Sequence, residues 1–343
     1  MRVRGLLAIL LPLSTLVVAS DAAASVNPHV VSVQVPRTLI AGIPVARITL
    51  GVTASAHQLP PLVTSPPLAT TWREIGPHQF AAMTTGSLTP GSTLTVYAPT
   101  AISCSNSVCR FTSTRAMSIE VPLNVTWLQS LLAVTQYLPV SFTSTSGAAP
   151  TSPSVTGTFT WRFPLLPLSV HSLWIPGVNN VLIKGALMSF QNEHAMRPSG
   201  IADSATVAAL VDMVTAGKVS ARTWNYVDVG ERRPQRATLF VDGVQKMSTL
   251  ANTGVAGATT DLGTYPVYIH IKFQWMTGQN LDGSHYRDPV NWISYFNGGD
   301  ALHEFYRYSY GWPQSLGCVE MPHSAAQAMW PYTPIGTLVT VHA

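Results

Sequence analysis

Four residues near the C-terminus have the types and the spacing that nucleophilic catalysis requires. Cys318 directly follows Gly317, Ser315 comes shortly before them, and His303 lies upstream. A thiol acts as a nucleophile when a nearby base accepts its proton, and histidine is the usual base. Gly317 permits a tight turn, and the backbone N–H groups of Gly317 and Cys318 can stabilise an oxyanion on an attacked carbonyl. The pattern predicts a cysteine nucleophile with His303 as its base.

These residues have two other interpretations. Free cysteine is among the most buried residue types, so Cys318 can instead be a structural core residue. His303 and Glu304 begin like the HExxH motif of zinc peptidases, but Arg307 occupies the position of the second histidine. No other histidines form an HxH pair. We therefore predict no metal site.

The N-terminus indicates export from the cell. Arg2 and Arg4 precede an uncharged run over residues 6–19, and alanines at 22–24 supply the small residues at which a signal peptidase cuts. We predict a signal peptide over residues 1–24 and a secreted protein. The run is too short to span a bilayer, and no later run is both long and uncharged, so no integral membrane segment is expected.

Composition restricts the partners of the protein. Charged residues make up 10% of the chain and the formal net charge is +4, whereas charged residues are about 25% of an average soluble protein. Because no run of lysine or arginine is present, nucleic acid is not an expected partner. A weak attraction to an anionic cell wall is compatible with this charge.

The three cysteines of the chain leave one unpaired if the other two are joined. Cys104 and Cys109 flank four residues, most of them small or turn-forming, and a strand-like stretch follows. This pattern predicts a short disulfide that closes a hairpin. Cys318 would then be the free thiol of a secreted protein, where an exposed thiol is at risk of oxidation.

Changes in periodicity predict three modules after the signal peptide. Residues 27–120 consist of short β-branched runs separated by turns, which is typical of a β-sandwich-like module. Residues 124–217 contain three amphipathic helical patterns, the first with Asn124 as a candidate N-cap. A loop rich in Ser, Thr, Pro and Gly is expected over residues 141–157.

Strand patterns return over residues 220–342, where Asp242-Gly243 is a hairpin-turn signal. A compact and mostly antiparallel β domain is expected there. The predicted fold class is therefore mainly β with a helical middle domain.

Residues 220–342 resemble the catalytic domain of the L,D-transpeptidase (YkuD-type) family. The family signature is a histidine, a spacer of about a dozen residues, then Ser/Thr-His-Gly-Cys and an apolar residue; this chain has His303 and then Ser315-Leu316-Gly317-Cys318-Val319. Further segments resemble the family in the same order: residues 251–268, residues 285–303 and the terminal PIGTLVTV. Residues 124–217 are similar to a small helical peptidoglycan-binding domain with an insertion after its first helix. A three-helix spacer is the alternative for that region.

The resemblance implies a cell-wall enzyme that needs no metal or organic cofactor. Cys318 would attack the carbonyl of the third, diamino-acid residue of a peptidoglycan tetrapeptide stem and release D-Ala. The acyl group would then pass to an amine of a neighbouring stem, giving a 3→3 cross-link, or to water. The implied partners are stem peptides and glycan, and the protein is expected to act as a monomer associated with the wall. A catalytically silent peptidoglycan-binding protein is the alternative.

The resemblance also assigns residues that line the substrate cleft. Tyr286 and Met276 match cleft positions and Trp292 matches a nearby aromatic, although each can instead be a core residue. Leu316 replaces the histidine that usually precedes the Gly-Cys pair, and leucine can neither titrate nor donate a hydrogen bond.

Two further departures place carboxylates near the predicted site. Glu304 follows the predicted base, where glycine or serine is common, and Glu320 stands where arginine or asparagine is common. Glu304 would raise the pKa of the His303 imidazole if their side chains met, but neighbours on a strand point to opposite faces.

Overall fold

The computed structural model describes residues 30–39, 43–51, 53–84, 91–105 and 108–343. The chain divides into two compact units, Met1–Leu123 and Asn124–Ala343. The predicted signal peptide, residues 1–24, lies outside the described residues. In the described part of the chain, no helix has both the length and the apolar character needed to cross a membrane.

The N-terminal unit is built from two antiparallel sheets. Its strands are β1 (Val30–Gln34), β2 (Ala46–Leu50), β3 (Thr64–Ser65), β4 (Thr70–Gly76), β5 (Gln79–Thr84), β6 (Thr93–Ser105) and β7 (Val108–Glu120). One sheet has the order β1-β2-β5-β4 and the other has the order β3-β6-β7. Ile48 and Phe80 of the first sheet share a buried cluster with Ile102 of the second. Two sheets that face each other across an apolar core form a sandwich, as the turn-punctuated strand pattern predicts.

Strands β6 and β7 form one long hairpin. Cys104 and Cys109 are opposite each other in its register and are joined by a disulfide, with 4.0 Å between their Cα atoms. Cys318 is the free cysteine.

Residues 124–217 contain the three expected helices, and strand exceeds helix over the protein (41% against 17%), so the mainly β fold class with a helical middle region is confirmed. The helices are α1 (Val125–Val134), the one-turn α2 (Leu168–His171), α3 (Val181–Glu193) and α4 (Ser204–Thr215). The Asn124 side chain accepts a hydrogen bond from the Trp127 amide at 3.0 Å, which satisfies a free N–H of the first turn of α1.

The loop predicted over residues 141–157 is wrong at both ends. Strands β8 (Val140–Ser144) and β9 (Gly157–Trp161) pair as a hairpin. Phe142 and Phe159 pack against each other across it, with 5.0 Å between ring centroids. The strands alternate Thr or Ser with Phe, a period-two pattern that the high Ser and Thr content conceals.

The helices and the C-terminal strands form a single compact unit. Gly185 of α3 lies so close to Leu338 that a Cβ atom would be 2.7 Å from the leucine side chain. Near the start of the strands, the Ser169 hydroxyl lies 2.9 Å from the Tyr226 hydroxyl. These contacts pack the helical region closely against the C-terminal strands that contain Tyr226 and Leu338.

Two sheets form the C-terminal part. The first has the order β12-β11-β10-β18-β13 and the second has the order β14-β15-β16-β17. The strands are β10 (Asn225–Gly230), β11 (Arg236–Val241), β12 (Val244–Leu250), β13 (Gly263–Pro266), β14 (Ile269–Gln279), β15 (His285–Asn297), β16 (Asp300–Glu304), β17 (Val319–Met321) and β18 (Leu338–His342), with α5 (His323–Met329) between the last two. Val229 and Val339 of the first sheet pack with Leu302 and Val319 of the second in one buried core.

The expected antiparallel arrangement holds for most of these strands. Asp242 and Gly243 have positive φ values of 46° and 79° and form the predicted turn between β11 and β12. Two pairs are parallel, β10 with β18 and β16 with β17. The second parallel pair positions the site.

Candidate active site

The parallel pairing of β16 with β17 brings the predicted base and nucleophile to neighbouring strands. His303 is opposite Glu320 in the register, and Leu302 is opposite Val319. Cys318 immediately precedes β17, so its place beside β16 follows from this register. The 15-residue separation of Cys318 from His303 is therefore bridged by strand pairing.

Both side chains line a cavity of about 270 Å³. Its other lining residues are Met276, Asn280, Tyr286, Asp288, Val290, Phe305, Arg307, Gln314, Ser315, Leu316 and Glu320. Predicted site residues from β14, β15, β16 and the Cys318 loop thus meet in one place. A small substrate segment can reach the thiol and the imidazole together.

The Cys318 thiol is held in an apolar environment. It packs at the edge of a cluster formed by Val290, Ile293 and Ala301, and its Sγ atom lies 3.6 Å from the carbonyl oxygen of Gly299. The pKa of the Cys318 thiol is raised to about 12, chiefly by burial; a hydrogen bond from the Ala301 amide opposes this rise, and the carboxylates of Asp300 and Glu320 contribute to it. The thiol is therefore protonated at neutral pH.

His303 is buried, with 3% of its surface exposed. Its Nδ1 atom lies 2.6 Å from the backbone carbonyl oxygen of Glu304 and donates to it, which leaves Nε2 as the basic nitrogen. Burial lowers the pKa of the imidazole, and this effect exceeds the opposing effects of Glu304 and Glu320. At neutral pH the histidine is therefore uncharged and able to accept a proton.

Glu304 was expected to raise the pKa of His303 if their side chains met. The direction of the Glu304 side chain decides this. Its carboxylate contacts Asn291 and His323, whereas the side chain of His303 lines the cavity. The two side chains thus have different partners, as expected for neighbours on a strand.

Ser315 shapes the turn that presents the thiol. Its hydroxyl donates to the carbonyl oxygen of Cys318 at 2.5 Å and accepts from the Gly317 amide at 3.3 Å. The Thr260 hydroxyl donates to the Gly317 carbonyl oxygen at 2.6 Å. Gly317 has a φ of +117°, and a Cβ atom there would lie 2.4 Å from Asp300 Oδ1, so both conformation and space require glycine.

The two backbone amides predicted to stabilise an oxyanion differ in their contacts. The Gly317 amide is engaged by Ser315 at the long distance of 3.3 Å. The Cys318 amide has no acceptor among the residues that the structure describes. The Cys318 amide is therefore the more available hydrogen-bond donor for an oxyanion.

The predicted substrate-binding residues separate into two groups. Tyr286, Met276 and Leu316 line the cavity, and Leu316 is 37% exposed at its rim. Trp292 is not among the lining residues; it contacts His323 and Trp330 edge to face and packs against the main core.

Arg307 and Glu320 were not predicted as site residues. The Arg307 guanidinium binds the Glu320 carboxylate through two hydrogen bonds of 2.8 and 2.7 Å, and both residues line the cavity. The sequence signal was present, because Glu320 departs from the family pattern, but its partner could be identified only from the fold.

A metal site would need several ligand side chains in one place. Within the described ranges, no group of three or more His, Cys, Asp or Glu side chains could hold a metal ion.

A comparison with protein families matches residues 224–341 to YkuD, the L,D-transpeptidase catalytic domain. Residues 224–341 are a YkuD domain. The family resemblance stated from the sequence is thereby confirmed for this part of the chain, and the helical peptidoglycan-binding assignment of residues 124–217 stays a prediction. No curated protein matches the sequence of the chain.

Solved structures with similar chains include several L,D-transpeptidases. The catalytic domain from E. faecium is 24% identical, covers 34% of this chain and 96% of its own, and has a TM-score of 0.32. An L,D-transpeptidase from Mycobacterium smegmatis is 11% identical, covers 93% of this chain and 100% of its own, and has a TM-score of 0.33. L,D-transpeptidase 3 from Mycobacterium tuberculosis, in complex with a faropenem-derived adduct, is 11% identical, covers 92% of this chain and 98% of its own, and has a TM-score of 0.33.

Proposed function

We propose that the protein is a secreted, wall-associated L,D-transpeptidase that uses Cys318 as its nucleophile and forms 3→3 cross-links between peptidoglycan stems. The observation that carries the proposal is the meeting of Cys318 and His303 in one cavity of a YkuD domain.

The proposed first half-reaction is acyl transfer to the thiol. As the Cys318 Sγ atom attacks the carbonyl of the diamino-acid residue, its proton passes to His303 Nε2. The C–N bond to the terminal D-Ala then breaks, and His303 returns the proton to the leaving amine. A thioester and free D-Ala are the products, and the net charge of the pair is unchanged.

The proposed second half-reaction regenerates the thiol. The side-chain amine of a neighbouring stem attacks the thioester and gives a proton to His303, which returns it to the Cys318 sulfur. The product is an amide between two diamino-acid residues. Because thiol and imidazole both begin uncharged, the proton moves only when a substrate carbonyl is in place.

The protonated, partly buried thiol suits an extracytoplasmic enzyme. A thiolate is far more easily oxidised than a thiol, and the proposed location is oxidising. The raised pKa of Cys318 therefore protects the sulfur between turnovers. The Cys318 amide is proposed to stabilise the oxyanion, with Gly317 assisting when Ser315 releases its amide.

The proposal is tested with a disaccharide-tetrapeptide donor and an amine-bearing acceptor stem. Liquid chromatography with mass spectrometry should detect a 3→3 dimer and released D-Ala with the mature protein and neither product with Cys318→Ala. Release of D-Ala with only a tripeptide product would identify an L,D-carboxypeptidase. Binding to peptidoglycan sacculi without either product would instead identify the silent wall-binding protein, for which Leu316 is the supporting feature.

A further inference from the structure

Arg307 is fixed in the active-site cavity by three kinds of contact. Its Nε and Nη2 atoms donate to the two oxygens of Glu320 at 2.8 and 2.7 Å, and Nη2 also donates to the Gln314 carbonyl oxygen at 3.1 Å. The guanidinium carbon lies 4.6 Å from the centre of the Phe305 ring. A bidentate pair and an aromatic contact hold the planar group in one orientation.

These contacts leave part of the guanidinium without a partner. Arg307 Nη1 has no hydrogen-bond acceptor in the described part of the chain, whereas both oxygens of Glu320 are engaged. The Arg307 side chain is 30% exposed and that of Glu320 only 6% exposed. The carboxylate thus lies behind the guanidinium, and the unpaired N–H groups remain available to a ligand.

Arg307 also occupies a junction between two cavities. It lines the site cavity with Cys318, and with Asp288 and Phe305 it lines an adjoining cavity of about 660 Å³. Among the described residues that line the site cavity, it is the one whose side chain is permanently cationic. The lining also contains the carboxylates of Asp288 and Glu320, so an anionic group bound near Cys318 would be attracted to the unpaired N–H groups of Arg307.

We propose that Arg307 is a specificity-determining residue that binds the terminal carboxylate of the donor stem. The identity of this substrate rests on the function proposed above. In a tetrapeptide donor, the terminal carboxylate is separated from the attacked carbonyl by only one nitrogen and one Cα atom. Cys318 and Arg307 line the same cavity of about 270 Å³, so a donor carbonyl at Cys318 would place this carboxylate within the cavity that Arg307 lines.

The inference predicts which donors are accepted. A pentapeptide stem carries its carboxylate one residue farther away, roughly 3.5 Å along an extended chain. A donor with a C-terminal carboxamide has no charge to offer the guanidinium. Both donors should be used less well than the tetrapeptide acid.

The first test measures how strongly the site favours an anionic reagent over a neutral one at the Cys318 thiol. It needs no peptidoglycan. Second-order rate constants for alkylation of Cys318 are measured with anionic iodoacetate and neutral iodoacetamide. Both reagents form an S–C bond with the thiolate and release iodide, so their rate ratio cancels changes in the thiol pKa. Arg307→Met should lower the iodoacetate-to-iodoacetamide ratio by about tenfold, the effect of one nearby charge.

Control variants separate charge recognition from structure. Arg287→Met removes a cation that stacks on Trp275 and does not line the site cavity, so it should leave the ratio unchanged. Arg307→Lys keeps the charge and should retain most of the ratio. Where Arg307→Met fails to fold because Glu320 loses its partner, the double variant Arg307→Met with Glu320→Gln replaces it and should also show a lowered ratio.

The second test compares the tetrapeptide donor with its C-terminal carboxamide. The wild type should prefer the acid by about tenfold in kcat/KM, and Arg307→Met should lose this preference mainly through KM for the acid. The inference would be overturned if folded Arg307→Met kept both the wild-type iodoacetate-to-iodoacetamide ratio and the wild-type preference for the acid donor. This holds even if the wild type carries out full transpeptidation. A lowered alkylation ratio in a protein without transpeptidation would support the anion site while refuting the proposed function.

Discussion

The Nδ1 atom of His303 lies 2.6 Å from the backbone carbonyl oxygen of Glu304. This hydrogen bond fixes the tautomer in which Nε2 carries no proton. Burial favours the uncharged imidazole and the uncharged thiol of Cys318 alike. The site therefore begins from a neutral pair, in contrast to cysteine enzymes that keep a thiolate beside an imidazolium.

The first prediction concerns the pH dependence of thiol reactivity. An ordinary cysteine titrates near pH 8.5, whereas burial raises the pKa of Cys318 to about 12. Carboxamidomethylation of Cys318 should therefore be slow at pH 7 and still accelerate between pH 9 and 10. Mass spectrometry of the modified peptide gives the rates, and a plateau below pH 8 would show a preformed thiolate.

The second prediction concerns Ser315, whose hydroxyl links the Cys318 carbonyl to the Gly317 amide. Ser315→Ala should lower the free energy of unfolding by about 1 to 2 kcal/mol, because a buried carbonyl loses its donor. It should also lower kcat by about tenfold, because the turn that presents the thiol loosens. Denaturant unfolding and the D-Ala release assay measure the two effects.

Ser324→Ala is the matched control for Ser315, since Ser324 is exposed in α5 and lies outside the site cavity. It should change neither stability nor kcat. Equal behaviour of the two variants would refute the role given to Ser315.

The third prediction concerns Asp300, whose pKa is raised by burial from 3.8 to about 6. A raised folded-state pKa means that stability is fully present below pH 3.8 and is lost as the pH rises through about 6. Asp300→Asn should therefore stabilise the protein at pH 7.5 by about 1 kcal/mol, after allowing for solvent screening of a half-exposed group. At pH 3.5 the variant and the wild type should be equally stable.

Asp300→Asn should also accelerate alkylation of Cys318 at pH 8, because its carboxylate raises the pKa of the thiol. Thermal unfolding at the two pH values, together with the alkylation rate, checks the prediction. A variant that is less stable at pH 7.5 would contradict it.

The sequence predicted the chemistry of the site better than its electrostatics. Cys318, His303 and Gly317 follow from residue types and local spacing, and strand pairing then brings them together. The pairing of Arg307 with Glu320 depends on which side chains two neighbouring segments present to the same cavity. No local pattern specifies such a partner.

Tertiary packing also determines two features that the local sequence pattern did not predict, the β8–β9 hairpin and the position of the Trp292 side chain. The β8–β9 hairpin looked like a loop because Thr and Ser occupy its polar positions, and its aromatic contacts became visible only in the fold. Trp292 has a left-handed backbone conformation, with φ of 57°, so simple strand alternation does not place its side chain.

The fourth prediction concerns Leu316, which replaces the usual histidine of the family and lies at the rim of the cavity. Because the wild type retains Cys318 and His303, it should be active without a histidine at 316. Leu316→His should change kcat/KM by less than about tenfold and act mainly on the ratio of cross-linked to hydrolysed product. Leu281→His, at an exposed leucine outside the cavity, is the control. If Leu316→His were active while the wild type and Leu281→His were inactive, the leucine at position 316 would have disabled the site.

The central claim is that Cys318 is an acyl-accepting nucleophile, and intact-mass spectrometry after incubation with a carbapenem tests it most directly. Attack of the thiol on the strained β-lactam carbonyl opens the ring, so the protein gains the full mass of the drug. We predict one adduct on the wild type, mapped to Cys318 and absent from Cys318→Ala. A folded wild type whose thiol is alkylated by iodoacetamide but which gains no carbapenem mass would contradict the claim.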